Sequence, residues 1–184
     1  MAGNERNTVS LFRTLLRGPA DRASLRPLYD AIVREARRPA WYIDGAVPDT
    51  FDGRFEMVAT LLALVLIRLE GDGEAARAPS AWLTEIFIED MDGQLRERGI
   101  GDIVVGKHVG RMMSALGGRL GAYREALAPD ATPGLLETAL VRNVYRGAAP
   151  PADAGDWLAD AVRRLWQGIG AVPLDALLAG QARP

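Results

Sequence analysis

A chain of 184 residues is long enough to bury a proper core and, by default, forms one domain. Apolar residues at 48% and charged residues at 25% exclude wholesale disorder, and a formal charge of -2 excludes a general attraction to nucleic acid. The absence of cysteine and a single histidine, His108, rule out disulfides, thiolate metal sites, thiol nucleophiles and multi-histidine metal centres.

Helical spacing runs through the whole sequence. The start, MAGNERNTVSLFRTLLRG, lacks the long apolar core and cleavage site of a secretory signal. Leu11, Phe12, Leu15 and Leu16 predict a short amphipathic helix there, so residues 1–24 are expected to form a helical arm on a cytoplasmic protein. Leu28, Ile32, Val33 and Ala36 mark a first core helix, opened by Pro27 and closed before Pro39. A second, from about Thr50 to Leu69, is apolar nearly all round between Met57 and Ile67. That run predicts a central buried helix, because a membrane span needs about 20 apolar residues.

GDGEAARAPS, residues 71–80, carries the composition of a surface loop, with Ser80 capping a third helix that stops at Gly99. A fourth helix begins near Val104 and shows Val105, Val109, Met112, Leu116, Leu120, Tyr123 and Leu127. Thr132 and Pro133 open another that ends at Gly147, and a further helix carries Leu158, Val162 and Leu165 between Trp157 and Trp166. Pro173 to Leu178 gives a last short turn. The expectation is an all-α, compact helical bundle of about six to seven helices, with the last fifty residues either part of it or a separable lobe.

GDIVVGKH, residues 101–108, spells the first part of a phosphate-cradling loop, but His108 stands where the hydroxyl belongs. A charged helix end precedes it instead of a strand, and Ile103, Val104 and Val105 oppose the curled backbone of a phosphate nest. The segment therefore reads as a turn at Gly101 and Asp102 followed by the fourth helix.

That helix carries Gly106, Gly110, Gly117 and Gly121 in a band of about 60°, with Ser114 beside them. Each interior glycine costs roughly 1 kcal/mol relative to alanine, so something is expected to approach the backbone closely. Two readings stand: tight packing against another helix of the domain, or a shallow groove for a helix of another protein. In the second, Met112 and Met113 supply an adaptable apolar rim.

EARRPAWYIDGAVPDTFDGRFEM, residues 35–57, places Trp41 and Tyr42 between Arg37, Arg38 and the acidic Asp44, Asp49 and Asp52. The aromatics either cap the core while Arg–Asp pairs lock the connection, or form a recognition surface of the residue types that anchor interfaces. Glu89, Asp90 and Asp92 offer carboxylates for acid–base work or a divalent ion. Only two of the three share a helix face, and pairing with Arg96 and Arg98 is the simpler expectation. No catalytic constellation emerges, and no cofactor is expected.

LYDAIVREARRPAWYIDGAVPDTFDGRFEMVATLLALVLIRL, then IFIEDMDGQLRERGIGDIVVGKHVGRM, resembles the ubiquinol–cytochrome c chaperone family over about Leu28 to Leu127. The most specific parts are VPDTFDGRFEM, the E-D-M-D segment and G-I-G-D-x-x-V-G-K. The resemblance implies an assembly chaperone without enzymatic activity for the respiratory bc1 complex. Its implied client is newly made cytochrome b; further implied partners are a small helical protein and the ribosome, and peripheral membrane contact is also implied. It divides the chain into the arm, a family core over residues 25–130, and C-terminal helices of the same domain over residues 131–184. Arg54, Asp49, Asp52, Asp90, Asp92, Asp102, Gly106 and Lys107 match family motif positions.

Two departures stand out: Thr60 or Leu61 where relatives often have His, and His108 and Gly110 where they carry further basic residues. The client-binding candidates are Arg37, Arg38, Trp41, Tyr42, Asp49, Asp52, Arg54, Gly106, Lys107, Gly110, Met113, Gly117 and Gly121. A helical quinone- or lipid-binding domain, with aromatics lining a cavity, is the alternative.

Overall fold

A computed structural model describes residues 22–97 and 102–181; of residues 102–109 and Ala152 it describes the backbone alone. The expected N-terminal helix with Leu11 to Leu16, the helix stop at Gly99 and Gly101 of the expected turn lie outside the described residues, while Asp102 of that turn is already helical. The fold is all-α, with eight helices among the described residues. They are α1 (Arg26–Ala36), α2 (Pro39–Ile43), α3 (Phe51–Glu70), α4 (Glu74–Glu97), α5 (Asp102–Ala126), α6 (Leu135–Asn143), α7 (Ala152–Gly170) and α8 (Leu174–Leu178).

The organising element is α3. Thr50 caps it by accepting the Gly53 N–H at 3.1 Å, and Asp52 in the first turn adds a favourable charge at the helix N-terminus. Every residue from Glu56 to Ile67 is buried, because α1, α4, α5 and α7 all pack around it. A run of that length is a protein core, and no helix among the described residues is long and apolar enough to cross a membrane. α6 rests on α5 and α7, while α8 closes over α1. Leu136, Leu158 and Leu177 of these C-terminal helices join the same apolar cluster as Leu28 and Leu62.

Three boundaries differ from the sequence reading. Residues 74–80 are the first turns of α4 and not a loop, and Ser80 is no cap: its carbonyl accepts the Thr84 hydroxyl at 2.8 Å inside the helix. Ala76, Pro79, Leu83, Ile86 and Phe87 are buried along one stripe, and burying that stripe outweighs the single backbone bond that Pro79 removes near the helix start. Pro39 does not merely close α1. With Arg38 extended before it, it occupies the first position of α2, where its missing N–H costs nothing. α6 opens after Gly134, two residues later than the Thr132–Pro133 signal, and ends at Asn143 before Gly147. Residues 102–109 are helical, so the DIVVGKH part of the GDIVVGKH stretch is not a curled phosphate loop.

Candidate functional site

α5 shows two opposed faces. Inward, Leu116, Arg119 and Tyr123 are buried. Outward, Gly110, Ser114, Ala115, Gly117, Gly118 and Gly121 are exposed, with Met112 and Met113 half-buried beside them. A Cβ built on Gly110, Gly117, Gly118 or Gly121 would meet nothing within 4 Å beyond its own helix's backbone among the described residues. Among the described residues no other helix packs closely against this stripe. Gly106 and Lys107 lie on the same helix, one and a half turns or less before Gly110.

The inward face is a polar seam that sequence reasoning missed. The Arg119 guanidinium pairs with Glu56 of α3, its carbon 6.0 Å from the Phe55 ring centroid, and only 4% of the residue is exposed. Burial pushes the pKa of Arg119 below its ordinary value, and its Nε and Nη1 find no hydrogen-bond partner among the described residues. One turn further along each helix, Thr60 and Tyr123 share a hydrogen bond of 3.1 Å between their hydroxyls. Thr60 thus makes a fully buried polar contact. The signal for this seam in the sequence is Glu56 at the edge of an apolar run, and Arg119 in register with Leu116 and Tyr123.

The aromatic segment is tied down to the body of the protein. Trp41 is 4% exposed; its indole N–H donates to the Glu35 carbonyl at 2.8 Å, and its ring meets Trp157 of α7 edge-on, centroids 5.8 Å apart. The Tyr42 hydroxyl donates to the Ala36 carbonyl at 2.6 Å while Arg54 lies over its ring, 5.6 Å from the centroid. Arg54 also donates to Asp49 at 2.6 Å, which holds that carboxyl below the usual range. Asp52 pairs with Arg146, and the Tyr145 hydroxyl donates to the Gly45 carbonyl at 2.6 Å. At Gly45 a Cβ would lie 2.7 Å from the Trp41 carbonyl oxygen and 3.1 Å from the Trp157 ring, so only glycine permits this approach.

These contacts make residues 35–54 a rigid platform in which Trp41 is an internal strut. Outward the platform exposes Arg37, Arg38 and Ile43, the last 76% exposed, together with Asp44, Asp49, Asp52 and Arg54. The structure brings Tyr42, Asp49 and Arg54 into one cluster; the α5 residues form a separate face. The acidic trio is spoken for: Glu89 accepts from Arg22 at 2.7 Å, Asp92 from Arg96 at 2.7 Å, and Asp90 from Tyr29 and Gln94. Arg98 lies outside the described residues.

Residues 44–184 match the family model described as ubiquinol-cytochrome C chaperone. The chain belongs to the ubiquinol–cytochrome c chaperone family. The match starts at the tied-down segment and continues to the last residue, well past the Leu127 limit of the sequence resemblance, so α6 to α8 are part of what defines the family here. The crystal structure of the Cbp3 homolog from Brucella abortus is similar at 33% identity and a TM-score of 0.75, over 94% of this chain and 93% of that one. No curated protein sequence matches at a comparable level.

Proposed function

We propose that this member of the ubiquinol–cytochrome c chaperone family holds newly made cytochrome b during biogenesis of the bc1 complex, and that the outward face of α5 is the surface that meets it. The observation that carries this reading is an exposed helix face made almost wholly of glycine, serine and alanine, with no other element among the described residues placed against it. Gly106 and Gly110, and again Gly117 and Gly121, repeat the small-xxx-small spacing that lets apolar helices of membrane subunits approach another backbone closely. A stripe of this kind sacrifices helix propensity at every glycine, and a partner that needs the clearance gives a reason for it. The platform bearing Arg37, Arg38 and Ile43 supplies a second contact, with Asp49, Asp52 and Arg54 holding it in shape. On this reading the protein acts by sheltering apolar surface and carries out no chemistry, at the membrane face where its client is inserted.

The test is genetic and spectroscopic. Deleting the gene is expected to lower reduced b-type haem absorbance and assembled bc1 complex under respiratory growth. Complementation with Gly117→Leu/Gly121→Leu should restore soluble, folded chaperone without restoring the complex. Normal bc1 levels in the deletion strain would end the proposal, and full rescue by the double variant would remove α5 from it.

A further inference from the structure

α1 and α7 both lie on α3 but touch each other little, and the gap between them is a cleft. Its outer part has a volume of about 270 Å³ and is walled by Trp41, Trp157, Arg38, Arg164, Glu35 and Leu165. It shares Glu35 and Leu165 with a separate apolar hollow of about 40 Å³ over Leu61, Leu64 and Val65 of α3. The hollow alone is far below the roughly 150 Å³ that admits a benzene-sized guest. The outer cleft is just under the usual range for ligand pockets, which suits something smaller than a drug-sized molecule.

The chemistry of the walls is specific. Trp41 has already spent its N–H on the Glu35 carbonyl, so it offers ring surface alone; Trp157 is half-buried and shows part of its ring to the cleft. Donors come from the two guanidinium groups. Arg38 leans on Glu35 at 3.1 Å, and that single carboxylate leaves the pair neutral. Arg164, exposed on the opposite wall, is paired with no carboxylate among the described residues. The cleft thus carries one uncompensated positive charge above indole walls, with Trp157, Ala161, Arg164 and Leu165 all on one face of α7. Guanidinium recognises carboxylate and phosphate by directed hydrogen bonds, and indole surface prefers a flat or apolar body.

We infer that this cleft is a binding site for a small organic anion, a carboxylate or phosphate attached to an apolar body, gripped by Arg164 and Arg38 with the body against Trp157. The site is independent of the α5 face and does not rest on the client proposal. The same chemistry could be presented by a free metabolite or by the headgroup of an anionic lipid, and the experiment separates them.

The full-length protein, labelled with nitrogen-15, is titrated with 1-naphthoate, with neutral 1-naphthalenemethanol, and with short-chain phosphatidate below its micelle concentration. The four tryptophan indole N–H resonances are followed up to about 5 mM, where even a millimolar site is largely filled. The expected result is a saturable shift of the Trp157 and Trp41 signals with one or both anions, while Trp82 and Trp166 stay still. The neutral alcohol should bind about tenfold more weakly or worse, and Arg164→Glu should weaken the anion by a similar factor. Naphthoate alone saturating the site identifies a free anion; phosphatidate alone identifies a lipid headgroup; both together leave the site standing as a general organic-anion cleft. No saturable shift with either anion, equal shifts at all four tryptophans, or an alcohol that binds as tightly as naphthoate would each overturn the inference.

Discussion

Glu56 and Arg119 are the charged side chains that this fold buries against each other, on α3 and α5 respectively. Removing one partner of such a pair strands the other in a medium that solvates it poorly, at a typical cost of 3–5 kcal/mol, whereas replacing both with apolar groups is often nearly neutral. Glu56→Gln is therefore expected to lower the urea unfolding free energy by about 3 kcal/mol or more, and Glu56→Leu/Arg119→Leu to recover most of that loss. Equal losses in the two proteins would mean that the pair itself stabilises the fold. The buried phenols make a second prediction. Burial pushes the Tyr145 hydroxyl up to about 12, and raises Tyr123, and Tyr29 with added help from Asp90. Each holds its proton more tightly folded than unfolded. Their contribution is complete below about pH 10, the unfolded value, and is lost as pH rises toward and through the folded values. The urea midpoint should be flat from pH 8 to about 9.5 and fall steeply above 10, with tyrosinate absorbance rising in step with the loss of helical circular dichroism.

At the scale of the element, α5 and the Gly45 turn ask opposite things of glycine. Among the described residues no other element stands near the missing Cβ of Gly117, so Gly117→Ala should stabilise the protein by about 0.5–1 kcal/mol through helix propensity. Gly45→Ala drives a methyl group into the Trp41 carbonyl and the Trp157 ring, and should lower the melting temperature markedly. Thermal unfolding of the two single variants checks both signs. The stripe itself is legible in the sequence because helical spacing is strict, but its direction is not: spacing gives the angle between residues and says nothing about which side of a helix faces the core. The start of α4 reads wrongly as a loop for a related reason. Gly, Pro and Ser near residues 71–80 signal a loop locally, while the stripe through Ala76, Pro79 and Leu83 wins only once α3 is there to cover it. The α1/α7 cleft is not legible at all, since Glu35 and Arg164 are far apart in the chain and their meeting depends on how both helices seat on α3.

At the scale of the whole molecule, the apolar run Met57–Ile67 announces a central helix by its length and composition alone, and the all-α class follows from periodicity. What spacing does not reveal is that helices from both ends of the chain complete its wrapping. Leu136, Leu140, Leu158, Val162 and Leu177 belong to the one core, so a fragment ending at residue 130 would leave one flank of α3 open to water. Such a fragment is expected to lack a cooperative urea transition and to bind hydrophobic dyes; a sharp two-state transition in it would show that the family segment of the sequence resemblance folds alone. The closing contact has its own consequence. At Gly180, with φ of +68°, the backbone just past α8 passes so close to Pro27 at the head of α1 that a Cβ would sit 2.5 Å from the Pro27 carbonyl oxygen. During synthesis α1 is made well before α8 and must wait, its seat unfinished, until Gly180 has left the ribosome. A product released early by a stalled or broken message would expose that vacant seat, giving proteases a way to tell it from a finished chaperone before it could reach a client.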